Sequence, residues 1–374
     1  MVPNLRFAGY IDNYRTCKLI DISEIVTRTN ENNSEYPIMM ISAGKGFIAQ
    51  SEKYSRDNAG TSINKYILLK KGELAYNRGN SKQFPYGAIY EMKEECALIP
   101  YVYHCFNIYD ESTRYFSHYL NSPFKDEQLS KIITSSVRGN GLLNISKNDF
   151  FNLSLNVPSI KEQNKIAKFL DLIDQRIQTQ SKIINDYKIL KNHIIKSYIK
   201  QNGTSYLLSE IAELGRGRVI NSAEISKQKN PIYPVYSSQT SNNGIMGYLD
   251  NYDYEGEYIT WTTDGANAGT VYYRNGKFNC TNVCGILKIK NGYDAYYISN
   301  ILNCYTKKYV STNLANPKLM NNVMANIKIN LPSIEQQKHS SKILQSIEYR
   351  VEIEEDIKLN LVKQKAFLLK NMFI

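Results

Sequence analysis

From Ile166 onward apolar residues recur in steps of four and three: Ile166, Leu170, Ile173, Ile177, Ile184, Tyr187, Ile194 and Tyr198. A seven-residue repeat of this kind marks the seam of a helix that pairs with another helix. Only Gln180 and Lys191 interrupt it. Neither proline nor glycine occurs between residues 159 and 200, so the pattern predicts one unbroken helix of about 40 residues, roughly 60 Å long. Pro158 keeps the preceding residue extended, and Ser159 with Glu162 has the spacing of a capping box at the helix start. The segment then recurs. With a constant shift of 174, Asn156-Val157-Pro158-Ser159-Ile160 falls on Asn330-Leu331-Pro332-Ser333-Ile334, and Gln163, Lys168, Leu170, Ile173 and Arg176 fall on Gln337, Lys342, Leu344, Ile347 and Arg350. The second seam is weaker. Leu344, Ile347, Val351, Leu361, Leu368 and Met372 fit it, whereas Ser340, Glu354, Lys358 and Lys365 do not.

A repeat this long implies a duplicated two-domain unit. If a pseudo-two-fold axis relates the halves, the helices pair antiparallel within one chain. Outside them the pattern changes to short β-branched and aromatic runs, such as Tyr258-Ile259-Thr260-Trp261 and Thr270-Val271-Tyr272-Tyr273. Asp264-Gly265, Asn275-Gly276 and Asn291-Gly292 separate such runs and predict hairpin turns. Asp21-Ile22-Ser23-Glu24-Ile25 resembles Glu210-Ile211-Ala212-Glu213-Leu214, and Tyr36-Pro37-Ile38 resembles Tyr233-Pro234-Val235. The shift here is 189 to 197, so the first sheet-rich segment carries extra loop residues. The expected class is α+β, with domains over 1–154 and 201–328 and helical regions over 155–200 and 329–374.

The 374 residues contain no apolar run long enough to span a bilayer, and the start lacks the apolar core of a signal peptide. Of six cysteines only Cys280 and Cys284 are close, and the four histidines lie elsewhere, which points to buried thiols rather than a metal site. The net charge of +11 divides into +2, +5, +3 and +1 over the four successive segments. No segment is a polybasic tail; Tyr, Asn, Ser and Thr enrich the sheet-rich segments instead, which suits hydrogen bonding to base edges and phosphates. A low-GC coding bias toward Asn, Tyr, Ile and Lys accounts for the same enrichment equally well. Phosphate-binding, dinucleotide-binding and zinc-protease motifs are absent from the sequence. Asn230-Pro231-Ile232-Tyr233 has the form of an amino-methyltransferase loop, but Lys227-Gln228-Lys229 stands where an apolar strand should precede it.

Together the opening Pro3-Asn4-Leu5-Arg6-Phe7 with Gly9, the paired Pro-Ser-Ile segments with a nearby Gln, and the duplicated layout resemble the specificity subunits of bacterial type I restriction–modification systems. The resemblance covers nearly the whole chain. Tyr14 stands where the family often has tryptophan, and Gln336 where the first copy has the more typical Glu162. It implies two target-recognition domains, each reading one half of a bipartite asymmetric sequence in double-stranded DNA. It further implies an intramolecular antiparallel coiled coil that docks two modification subunits, in a complex that also holds restriction subunits. The chain itself would be non-catalytic and without cofactor; S-adenosylmethionine, ATP and Mg would belong to its partners, in the cytoplasm and with no membrane partner. The alternatives are the recognition subunit of a fused nuclease–methylase system and, in a different class, a free-standing DNA methyltransferase.

Polar loops at places similar to the family's give the candidate contacts. In the second domain they are Ser237, Ser238, Gln239, Thr240, Asn242 and Asn243, with Thr262, Thr263, Asn267, Arg274 and Lys277. In the first they are Ser42, Lys45, Asn77, Arg78, Ser81, Lys82 and Tyr86. Arg138 and Asn140, just before the helix, match the region of Asn313 and Lys318. Amide side chains among them can read adenine in bidentate fashion, and lysines can reach phosphates.

Overall fold

A computed structural model describes residues 2–30, 35–52, 60–133, 142–200, 203–311 and 316–374, without the side chains of 60–62. Arg138, Asn140 and Asn313 lie outside the described residues. Two compact units emerge. The first comprises residues 1–181 and 356–374, the second residues 182–355.

In the first unit β1 (Arg15–Lys18) pairs antiparallel with a distant strand, β10 (Ser154–Val157), at the helix entrance. Between them lie β2 (Ser23–Ile25), β3 (Met39–Ser42), β4 (Gly46–Ala49), β5 (Ile67–Lys70), β6 (Leu74–Asn77), β7 (Ala88–Glu91), β8 (Cys96–Ile99) and β9 (His104–Ile108). They form a four-stranded sheet of order β2-β9-β6-β7, a β3–β4 hairpin and a β5–β8 pair. Three short helices follow, α1 (Thr113–Tyr119), α2 (Pro123–Ile132) and α3 (Lys147–Phe151). Their aromatic faces close the core: Tyr76 stacks on Phe150 at 4.4 Å and Tyr119 on Phe373 at 5.0 Å.

The long helix α4 (Ile160–Ile199) runs 40 residues, as its sequence demands, and contributes its first half to this unit. The second unit then repeats the entrance. There β11 (Thr204–Leu207) pairs antiparallel with β18 (Lys328–Leu331) just before α9 (Ile334–Asn371). Arg15 opposes Val157, and Thr204 opposes Leu331. These partners are related by the shifts of 189 and 174 already visible in the sequence, so both helical regions open on a strand. The sheet between has six strands, ordered β12-β17-β15-β16-β13-β14. Its members are β12 (Ala212–Arg216), β13 (Tyr233–Tyr236), β14 (Ile245–Leu249), β15 (Tyr254–Thr262), β16 (Val271–Cys280) and β17 (Cys284–Ile289). The helices are α5 (Leu208–Ile211), α6 (Ser222–Ser226), α7 (Ala295–Tyr305) and α8 (Asn321–Ala325). Trp261 anchors the core, its indole N–H donating to the Leu319 carbonyl at 2.9 Å. Gly285 makes room for it: a Cβ there would meet the Trp261 ring at 2.1 Å.

One turn expectation fails. Asn275-Gly276 does not reverse the chain but lies inside β16. Gly276 (φ 101°) faces Gly256 (φ 106°) across the ladder, so two glycines in positive-φ conformations bend a continuous pair of strands together. The reversal falls earlier, in residues 263–270, which join β15 to β16. Asn291-Gly292 does form a turn, ahead of α7.

The glutamine common to both copies has the same role twice. Gln163 donates to the Pro158 carbonyl at 2.9 Å and accepts from the Ser112 N–H at 3.0 Å. Gln337 donates to Pro332 at 2.8 Å and accepts from Asp294 at 3.0 Å. Ser112 and Asp294 are the N-caps of α1 and α7, so each glutamine ties a long helix to the helix that precedes its strand. The expected capping boxes part ways. Ser333 and Gln336 form one. Glu162 instead is buried and accepts from the Arg6 guanidinium at 2.7 and 2.8 Å and from the Tyr14 hydroxyl at 3.2 Å. The opening motif therefore closes on the first helix, with Leu5 N–H also donating to the Asn371 carbonyl.

Within each unit the two long helices run antiparallel. In the first, Lys365 binds Asp174 at 2.6 Å, and Ile166 and Leu170 share a core with Met372. In the second, Lys188 pairs with Glu355 and Lys191 with Glu348. Every seam position, polar ones included, is buried or half-buried. Lys191 in the first seam and Lys365 in the second meet this by snorkelling to carboxylates of the opposite helix. Among the described residues no helix is long and apolar enough to cross a membrane, and no cluster of His, Cys, Asp or Glu could hold a metal ion. Cys280 and Cys284 sit in an apolar cluster with Phe278 and Ile286.

Candidate DNA interface

In the first unit the β3–β4 turn and the loop from β6 to β7 meet. A Cβ on Gly44 would lie 2.6 Å from the Gln83 side-chain oxygen, and Gly44 N–H donates to the Tyr90 hydroxyl. Residues 44–47 and 83–84 line a cavity of about 550 Å3 with Arg114, His118, Asp171, Asp174 and Lys365. Lys45 and Lys82 are exposed on these turns. The other candidates have structural partners. The Arg78 guanidinium donates to the carbonyls of Ile145 (2.9 Å) and Val102 (3.2 Å), so it staples three segments rather than facing DNA. Tyr86 packs on the core, and its carbonyl accepts from Tyr76. Ser81 closes its own turn on Phe84, while Asn77 holds Gly79 N–H at 3.0 Å. Ser42 is half-buried, its carbonyl accepting from Lys45 N–H. Gln83 is not legible in the sequence, because a lone polar residue in a loop gives no signal that a second turn approaches it.

In the second unit the segment from Ser237 to Gly244 leaves the end of β13 and returns in β14. Ser241, Asn242 and Asn243 are exposed, as is Thr240; Ser237, Ser238 and Gln239 are half-buried. Gln239 supports the loop by donating to the Ile245 carbonyl. Ser237 N–H donates to the Gly244 carbonyl at 2.9 Å. Thr262, Thr263 and Arg274 do not face solvent, with 1%, 0% and 4% exposure. They lie in or against the central strands β15 and β16, covered on both sides. The exposed-loop reading is corrected for all three. Burial lowers the proton affinity of the Arg274 guanidinium, which lies between the rings of Tyr236 and Tyr272 at 3.5 and 4.4 Å.

The other candidates separate into two further places. Asn267 is exposed on the 263–270 loop, whose Gly265 N–H reaches Pro317, so Lys318, 3.5 Å from Asp264, shares its neighbourhood. Arg216, not anticipated, binds the same Thr263 and Asp264. Lys277 is exposed over the Tyr252 ring at 4.4 Å, and hydrogen bonding to Tyr252 raises its proton affinity. Tyr252 packs on Tyr233 at the start of β13, about 10 Å along the strand from the loop at its end. Asn230-Pro231-Ile232 is an exposed entry to β13.

The family model described as the type I restriction modification DNA specificity domain matches twice, over residues 12–187 and 202–364. The chain belongs to this family. Two putative type I specificity subunits of Mycoplasma pneumoniae, S.MpnORF201P and S.MpnORF365P, are 37% and 38% identical to it over 201 and 205 residues. Each match spans 52% of this chain, and 83% and 75% of the relative. The specificity subunit of the type I restriction enzyme MpnII is 40% identical over 166 residues, 44% of this chain and 49% of that protein. The crystal structure of a type I S subunit from M. genitalium aligns over 100% of this chain and 99% of its own, with a TM-score of 0.64 at 14% identity. That alignment supports the fold. Like its relatives, the chain is a DNA-specificity subunit and not itself an enzyme.

Proposed function

We propose that each unit of this specificity subunit reads one half of a bipartite asymmetric DNA target. The observation that carries this is one frame used twice with unlike loops. The strand pair, glutamine tie and long helix recur, whereas the turns that carry exposed residues are 43–45 and 80–85 in one unit and 240–243 in the other. A frame sets position, and loops set sequence preference. Asn242 and Asn243 suit adenine edges, and Lys45, Lys82 and Lys277 suit phosphates.

The long helices dock two modification subunits, one at each unit. Exposed apolar side chains lie on them in both: Leu172, Leu359 and Phe367 in the first, Ile189, Leu190 and Tyr349 in the second. Restriction subunits complete the assembly. Methyl transfer from S-adenosylmethionine and Mg-dependent ATP chemistry belong to those partners, in the cytoplasm. The test is to exchange residues 201–328 for the equivalent segment of another such subunit and sequence the methylome. One half of the methylated motif should change and the other persist; a motif altered in both halves overturns the reading.

A further inference from the structure

Asn242, Asn243 and Gly244 form an unusual run of three residues at positive φ, 49°, 52° and 82°. Left-handed backbone is unfavourable for L residues with a Cβ and is tolerated best by Asn and Asp after Gly. Such a conformation persists only where surrounding contacts impose it. Both asparagine side chains point into solvent and add nothing to the core. The contact imposed from below is Arg274. Its Nη2 donates to the Asn243 carbonyl at 2.9 Å, and its Nε donates to Thr260 Oγ1 at 3.2 Å. The guanidinium carbon lies 3.5 Å from the centre of the Tyr236 ring and 4.4 Å from that of Tyr272, so packing adds to the hydrogen bonds in limiting its freedom to turn. Gly244 also fits against it, since a Cβ there would lie 3.1 Å from Nη2.

We propose that Arg274 is a positioning residue for sequence recognition: it fixes the Asn242–Asn243 turn so that the two amides meet base edges in one orientation. This rests on the DNA-reading role given above and names the device by which one half-site is read. A lysine could supply the charge but not the fork, because a single ammonium cannot be stacked between two rings while donating in two fixed directions. The buried guanidinium acts through the loop and touches no base.

The test uses the full-length chain and duplexes carrying the motif found by methylome sequencing, plus every single-base change in both halves. Binding is read by fluorescence anisotropy across a salt series. Replacing both asparagines by glycine relieves the backbone strain and removes the amides. Discrimination should fall about tenfold or more at one or two adjacent positions of a single half-site. Arg274→Met and Arg274→Lys should lose discrimination at the same positions while binding to unrelated DNA and its salt slope stay unchanged. Arg274→Met added to the glycine pair should cause no further loss, because the amides it positions are gone. A purely structural arginine would give additive losses or losses in both halves, and either result overturns the proposal. If Arg274→Met does not fold, Thr260→Val, which removes one acceptor of the clamp, must lower discrimination at those positions; unchanged discrimination there overturns it. A wild-type chain with no sequence preference at all refutes the DNA-reading role itself. Retained preference that ignores the asparagine pair refutes the positioning role alone.

Discussion

The contact between Arg6 and Glu162 offers a quantitative test of how the opening segment closes the first unit. Glu162 has 1% side-chain exposure and Arg6 13%, and the guanidinium presents two nitrogens to the two carboxylate oxygens. Tyr14 donates a third hydrogen bond, and burial together with the Glu162 charge raises its phenol well above the ordinary range. Arg6→Met leaves a carboxylate desolvated without its cation, which costs roughly 3–5 kcal/mol. Glu162→Gln in the same background removes the stranded charge and restores the residue type that the second unit already uses at Gln336. The double variant should therefore recover most of the loss. In a unit of this size 1 kcal/mol shifts the melting temperature by about 2–4 °C, so Arg6→Met should lower it by about 6–20 °C. The transition of the first unit can be followed by calorimetry, with the second unit's transition as internal control. Equal destabilisation in Arg6→Met and in the double variant would refute the reasoning, since it would mean that lost packing rather than the unpaired charge sets the cost.

Lys125 is buried, donates to the Gly87 carbonyl at 2.6 Å, and burial pushes its ammonium down to about 8. Below pH 8 both states hold the proton and the folded state bears the full desolvation cost. Between pH 8 and about 10.5 the unfolded chain holds more protons, so stability should climb, by about 3 kcal/mol across that window. Urea unfolding should show that this climb disappears in Lys125→Met; an identical climb would exclude Lys125 as its source. Gln337→Leu strands the Pro332 carbonyl and Asp294 N–H and should cost roughly 1–3 kcal/mol per group, a loss confined to the second unit's calorimetric transition. Thr262 carries a buried hydroxyl without a hydrogen-bond partner among the described residues, so Thr262→Val should stabilise by about 1 kcal/mol and leave DNA binding unchanged. Lys277→Ala should reduce the salt slope of binding by about one while preserving sequence preference; a changed preference would mark Lys277 as a base reader.

The helices and their duplication were legible because helical seams and caps are local, periodic signals. The shifts of 174 and 189 reappear as the strand partners Arg15–Val157 and Thr204–Leu331. The resemblance carried by the opening motif, the paired Pro-Ser-Ile segments and the duplicated layout also separated recognition from catalysis. What the sequence could not decide was which polar residues face solvent. Arg274 and Lys277 are three residues apart on one strand, yet one lies buried between two rings and the other is exposed. Alternation along a strand tells which residues share a face but not which face is covered, and it is the packing of Tyr236 and Tyr272 on Arg274 that covers its side. The same limit hid the role of Glu162, whose spacing satisfies a capping box but whose partner is 156 residues away. It also hid the polar seam of α9, where Lys365 is shielded only because Asp174 lies opposite. Local chemistry determined which elements form; long-range pairing decided what each polar group in them does, because a buried charge or amide takes its role from the partner that replaces water.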